Sequence, residues 1–227
     1  MQYAYLGAAV IIFLVWLIFF LKRKDLRREM LVMSLLAAPL GFFDLWAVPL
    51  YWAPVTLGNI PVGIEGIIYS FCLGGITAVL YTEIARKTPI HMRKYHKSVS
   101  LLVLTAALVV LVILAGSQVV NPVIVLYAAL LTGLGVALFF RKDLVRGTIF
   151  GALSFGLLYF IILKIWISLF PGVIHWFHFA GLPMVYVWGV PLYELLFGTL
   201  FAALWGNAYE LIFGYKLIAK GKGRKKR

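Results

Sequence analysis

Four ionisable residues sit inside, or at the start of, apolar runs long enough to cross a bilayer: Asp44, Glu65, Lys164 and Glu194. A carboxylate in hydrocarbon costs at least ~2.5 kcal/mol on insertion scales, so such groups need a partner, a proton or a task. A pair of carboxyl groups, one protonated and one not, can donate and accept protons inside a lipid-facing cavity. Glu194 has company suited to that chemistry. Glu194, Phe197, Phe201 and Trp205 recur at helical spacing on one face. Aromatic rings beside a carboxylic acid stabilise a carbocation by cation–π attraction. Tyr69, Tyr193 and Trp46 lie close to the acids in sequence and are further candidates to line a substrate cavity. Glu194, Glu65 and Asp44 are the candidate catalytic groups.

Each of these residues also has a structural reading. Asp44 and Lys164 can form an ion pair that locks the helices together, since mutual pairing removes the cost of two isolated charges. Glu65 and Glu194 stand near helix starts, where the dipole and water favour an acid. Aromatic side chains in membrane helices commonly serve as packing and interfacial anchors. Glu83 and Glu210, beside Arg86 and Lys216, read as solvated ion pairs, and Asn207 as a hydrogen bond between helices. His175 and His178 have a spacing that can ligate a metal but lack further ligands, so no metal site is expected. His91 and His96 carry no specific signal.

The elements that must position these groups follow from composition. Of 227 residues, 63% are hydrophobic and only 13% charged, with mean hydropathy +1.00. A soluble surface needs more charge than that, and repeated apolar runs mean a polytopic all-α membrane protein. The net charge of +13 is not a nucleic-acid signal, because 20 of the 21 Lys and Arg residues fall in four clusters: 22–28, 86–97, 141–146 and 216–227. With seven spans all four clusters share one side, which places the N-terminus outside and the C-terminus in the cytoplasm of an integral cell-membrane protein. The basic tail 216–227 is then expected at anionic lipid headgroups. Cys72 is the only cysteine, which excludes an intrachain disulfide and reads as a small apolar residue. The first span lacks a basic leader region and cleavage site, and is expected to be retained.

The spans are expected near 3–21, 31–51, 60–84, 98–115, 120–140, 148–170 and 187–215. Pro39 should kink or wedge the second. Arg23-Lys24-Asp25-Leu26 returns as Arg141-Lys142-Asp143-Leu144 at a spacing of 118, and the proline-led entries Pro61…Glu65 and Pro191…Glu194 align at 128. In that alignment Gly66 stands against Glu194 and Tyr69 against Phe197. The chain reads as one membrane domain, 1–227. It holds a first three-helix module (1–84), a connecting helix (98–117) and a second module (120–215). Equivalent helices would run the same way, making this a parallel repeat. The alternative is chance similarity among apolar helices. At 1.5 Å per residue, Asp44 and Lys164 lie roughly 20–24 Å from the basic side, at the level where Glu65 and Glu194 enter.

At these residues the chain resembles the lycopene cyclase domain family, small membrane cyclases built from two homologous three-helix modules. The likeness is carried by the basic turn before span 2, Asp44 near Trp46, a proline-led acidic helix entry in each half, and the closing Tyr209-Glu210. The family signature is Pro-x-Glu-Glu or a close acidic variant. Here Pro191-Leu192-Tyr193-Glu194 keeps the second acid alone, and the first half keeps Glu65, with Gly66 after it. The resemblance implies a redox-neutral isomerisation of a lipophilic polyprenoid: an acid protonates a terminal alkene, the cation closes a ring, and a base removes a proton. Glu194 would be the general acid and Glu65 or Asp44 the base. No phosphate-binding loop, dinucleotide fingerprint or covalent nucleophile motif is present, so no cofactor is identifiable. Three alternatives stay open: a non-catalytic polyprenoid-binding or scaffold protein of the same fold, a proton-coupled transporter, and a retinal photoreceptor. A transporter would be expected to carry an inverted repeat. A rhodopsin lysine belongs to the last span, whereas Lys164 is in span 6. The topology is testable directly: a reporter fused after Ser117 should read out as extracytoplasmic, and a cytoplasmic signal there contradicts the seven-span assignment.

Overall fold

The computed structural model describes residues 3–48, 50–60, 63–92, 97–117 and 120–219. Pro61, Arg93, Lys94, His96 and the 220–227 part of the basic tail lie outside the described residues. Seven helices are long and apolar enough to cross a membrane: span 1 (Ala4–Lys22), span 2 (Lys24–Ala47), span 3 (Ile64–Ile84), span 4 (Lys97–Gly116), span 5 (Pro122–Phe140), span 6 (Lys142–Leu169) and span 7 (Leu192–Phe213). The protein is all-α and built to reside in a membrane. Spans 2 and 6 begin earlier than expected, because the basic turns are themselves helical. Span 7 begins later, because Tyr186–Val187 and Val190–Pro191 form a small antiparallel hairpin ahead of it.

Span 3 is central. In its most apolar stretch 67% is buried, against 6% in span 4. Small residues make that possible, since helices in lipid gain by close contact. A Cβ on Gly74 would come within 2.2 Å of the Ala37 Cβ and 2.9 Å of the Met33 carbonyl on span 2. On the span 1 side, Trp16 donates to Ser34 Oγ at 2.9 Å, joining spans 1 and 2 over Gly75. Pro39 acts as expected: the α-helix of span 2 gives way to a 3-10 segment, Ala38–Phe43, before resuming at Asp44–Ala47. Gly41 in that segment lies directly on the backbone of Gly66 and Ile67.

The basic end is cross-braced by two turns built alike. Arg23 holds both oxygens of Asp25 at 2.8 and 2.7 Å, and Arg141 holds both oxygens of Asp143 at 2.8 and 3.0 Å. Each fork is the bidentate geometry that arginine favours. Arg23 also reaches Glu83, whose second contact is Lys22 at 3.5 Å. Arg141 instead donates to the carbonyls of Glu210 (3.2 Å) and Tyr215 (2.9 Å). The expected pairing of Glu83 with Arg86 and of Glu210 with Lys216 is therefore corrected: Glu83 turns to the Arg23 fork, and the Glu210 carboxyl is buried, 1% exposed. Asn207 does bond between helices, donating to Thr148 Oγ1 at 2.8 Å. Gly214, at φ 69°, ends span 7, and the chain then forms the strand Tyr215–Ala219, paired antiparallel with Lys87–His91. Residues 216–219 are thus strand, not tail.

At the opposite, aromatic end, two long loops pair their backbones. Tyr51 O accepts from His178 N (3.0 Å) and Phe179 N (2.9 Å), and Ala53 N donates to Trp176 O at 2.7 Å. These bonds close a lid of aromatic residues over the bundle. For the packing at the centre, Gly74→Ala should lower stability by about 1–3 kcal/mol, because the added methyl meets span 2 backbone as well as side chain. A thermal unfolding midpoint in detergent equal to wild type contradicts this contact.

Candidate active site

Beneath the aromatic lid, between spans 1–3 and 4–7, lies a cavity of about 300 Å³. Its wall is mostly apolar, and the carboxyl groups in it are those of Asp44 and Glu194. Those two are the carboxyls that must be accounted for.

Glu194 sits in the first turn of span 7, behind Pro191, and is buried. Tyr51, from the end of the span 2 extension, donates to one carboxyl oxygen at 2.8 Å, and Tyr159 of span 6 donates to the other. Tyr69 of span 3 donates in turn to Tyr159 at 2.8 Å. Both Glu194 oxygens are thereby satisfied, which is what a buried carboxyl requires. Tyrosine hydroxyls both donate and accept, so rotation of the Tyr69–Tyr159 pair can accommodate Glu194 with or without a proton. Tyr159 reaches its place because Gly198 leaves room: a Cβ there would be 2.4 Å from the Tyr159 ring. Tyr51, outside the spans and buried, has its phenol pushed well above the ordinary tyrosine range by desolvation and by the neighbouring carboxylate. It stays a neutral donor.

Asp44 forms the second pole. Tyr5 donates to Oδ2 at 3.0 Å and Trp52 Nε1 to Oδ1 at 3.3 Å. Both donors also line the cavity. A Cβ on Gly66 would stand 2.7 Å from Asp44 Oδ2. The Asp44 carboxyl, arriving from span 2, thus occupies the space into which a side chain at position 66 would project.

Between the poles the aromatic face of span 7 lines the cavity. Phe197 and Phe201 are 6.1 Å apart by ring centroids, and Phe201 stacks on Trp205 at 5.5 Å. Tyr69 lines it from span 3. The remaining candidates lie elsewhere. Glu65 is buried, but its carboxylate turns back to accept from Leu57 N at 2.5 Å, pinning the loop ahead of span 3. Trp46 packs on Phe43 at 4.8 Å. Tyr193 packs against Phe179 at 5.1 Å while its carbonyl accepts from Tyr127.

The expected Asp44–Lys164 ion pair is not formed. Lys164 is exposed and donates to the Trp188 carbonyl at 2.7 Å. Trp166, two residues on, faces the core and donates to Ala4 O at 2.6 Å. Two residues are roughly 200° of helix, so with Trp166 inward Lys164 must face outward. Its stem lies in the apolar region while the ammonium reaches the hairpin.

Tyr51, Tyr159, Tyr5 and Trp52 were not singled out from the sequence. The signal that could have pointed to Tyr159 is Gly198, a small residue four positions after the acid where a neighbouring helix can approach closely. Span 4, expected only to connect, contributes Ala107, Leu108 and Leu111 to the cavity wall. If the tyrosine clamp carries Glu194, then Tyr159→Phe should cost about 1–3 kcal/mol, the penalty for a buried oxygen left without its hydrogen-bond partner. Combined with Glu194→Gln it should cost less than the sum of the two, read from unfolding midpoints. Strict additivity means the clamp is not energetically coupled to the acid.

Comparison with known families bears on the same helices. The family model described as lycopene cyclase matches residues 121–212, from the asparagine that caps span 5 to the last turn of span 7. No curated protein and no solved structure matches the chain. The part of the chain that is similar to the lycopene cyclase family thus comprises spans 5, 6 and 7, which bring Tyr159 and Glu194 together and supply the aromatic face of the cavity.

Proposed function

We propose that the protein cyclises an end group of a carotenoid or related polyprenoid by acid–base chemistry, with Glu194 as general acid and Asp44 as base. The observation that carries the reading is the placement of two hydrogen-bonded carboxyls at one aromatic-walled cavity. In this scheme the Glu194 proton adds to the terminal alkene, whose π pair forms the new C–H bond. The cation left on the neighbouring carbon is attacked by the next double bond, which closes the ring. Loss of a ring proton to the Asp44 carboxylate restores an alkene. Atoms and electrons balance without a redox partner, and the resting state returns when the proton gained by Asp44 leaves and one is restored to Glu194, with no net proton consumed. Phe197, Phe201 and Trp205 would face the cation, each contributing on the order of 0.5–2 kcal/mol. The Tyr69–Tyr159 pair would guide the proton to Glu194.

The first-half motif lacks its second acid, at Gly66, and this bears on activity. The position of Asp44 against Gly66 supports its taking that role. Glu65, the other candidate base, is a poorer choice because its carboxylate serves the loop. The like-built Arg23–Asp25 and Arg141–Asp143 turns support a parallel duplication of 1–84 and 120–215, joined by 98–117. Binding of a polyprenoid without catalysis is the second reading, favoured by the single acid left in each motif.

Pigment analysis after expression in lycopene-accumulating cells tests this. Wild type should form rings. Glu194→Gln and Asp44→Asn should each lower ring formation at least ~100-fold, as expected for loss of a general acid or base. Glu65→Gln should retain most activity, and Phe197→Leu should only reduce it. Full cyclisation by Glu194→Gln removes Glu194 as the acid, and a wild type that forms no ring leaves the non-catalytic reading.

A further inference from the structure

Aromatic side chains stand at both ends of the cavity among the described residues. Towards the aromatic end, Trp52 and Phe177 both line it and close over it, joined by a backbone bridge and stacked at 6.2 Å. Towards the basic end, Trp205 forms its floor, and beyond it Asn207 ties span 7 to span 6. The side is different. Of the lining side chains only Leu40 and Leu108 are exposed, at 43% and 47%. Leu40 belongs to the 3-10 segment of span 2, and Leu108 to the middle of span 4. Span 4 packs along span 5 and touches the final turns of span 7, and does not pack along span 2. Both leucines lie at depths that place them in hydrocarbon, so the exposed part of the wall faces lipid.

Size adds a second constraint. At about 300 Å³ the cavity is at the low end for a ligand pocket. It has room for one end of a long chain and not for its length. With carboxyl poles deep inside and an apolar opening on the membrane, the fitting ligand has an apolar, unsaturated terminus and a long hydrocarbon body.

Resting on the polyprenoid reading of the cavity, we infer that Leu40 and Leu108 frame a lateral portal between spans 2 and 4. One terminus of a linear polyprenoid enters through it while the rest of the chain stays in the bilayer. Span 4 is then half of the doorway as well as a connector. The proline-induced 3-10 segment supplies the other half, because its tighter winding turns Leu40 to the rim while Asp44 is carried inward.

The test uses the whole protein in lipid nanodiscs and a linear polyisoprenoid hydrocarbon with a terminal diazirine. A straight-chain alkyl diazirine of equal length serves as the second arm. Photolabelled peptides should map to span 7 between Glu194 and Trp205. Leu40→Trp and Leu108→Trp should each lower that labelling at least ~10-fold, about 1.4 kcal/mol of apparent affinity. Ile113→Trp, exposed on span 4 away from the cavity, should not. Undiminished labelling in both rim variants, with wild-type unfolding midpoints, overturns the portal. If the tryptophan variants do not fold, Leu108→Ala decides: labelling must become faster, and an unchanged rate overturns the portal. Equal labelling by the straight-chain probe overturns the assignment to a polyprenoid in favour of lipid acyl chains. Because photolabelling needs no ring formation, rim-dependent labelling in a protein that makes no ring upholds the portal and sinks only the acid–base reading.

Discussion

A carboxyl group within hydrocarbon is costly unless its oxygens are hydrogen-bonded, and around Glu194 meeting that requirement organises the bundle. Its partners come from three separate parts of the chain. Tyr51 is delivered by the lid, Tyr159 by span 6, and Tyr69, one bond further out, by span 3. To bring them together, span 3 must be central, span 6 must lie against span 7 at Gly198, and the two aromatic-end loops must pair over Tyr51. The hydrogen bonding of Glu194 and the packing of the helices are thus one problem with one solution.

The same logic explains the second pole and its asymmetry. Asp44 is satisfied by Tyr5 and Trp52, a phenol and an indole, with no cation in contact among the described residues. An ion pair with Lys164 would have paired two charges; here neutral donors satisfy the carboxyl instead. Lys164 meanwhile has a less costly route: an exposed stem and a carbonyl acceptor in the outer hairpin. Glu65 follows the loop it pins. Three acids that look alike in sequence therefore have different surroundings, and only two open on the cavity.

Membrane helices gain little from burying apolar surface against each other, so contact depends on small residues and polar ties. That is visible at both ends of this bundle. Gly41 and Gly74 let spans 2 and 3 touch along their backbones, and the arginine forks and the Tyr215–Ala219 strand brace the basic end. Span 4 packs along span 5 and touches the end of span 7, yet little of it is buried.

Much of this was legible in one dimension. Seven apolar runs, the one-sided basic clusters and the scarcity of charge follow from composition, because the bilayer admits few solutions. The aromatic face Glu194–Phe197–Phe201–Trp205 follows from helical spacing alone. Asp44 and Glu194 stood out because ionisable residues in apolar runs are costly wherever they point. What periodicity could not provide was azimuth and loop pairing. Lys164 and Asp44 share a depth, yet depth is set by residue count and facing by rotation, and Trp166 seated in the core rotates Lys164 away. Tyr51 and Trp52 lie beyond the end of span 2, and only the pairing of two distant loops brings them over the acids. Tyr159 is one aromatic among many in an apolar helix, selected only by the gap at Gly198. The tertiary structure decided which polar groups meet, because hydrogen bonds between helices depend on rotation and close approach that a hydropathy pattern does not encode.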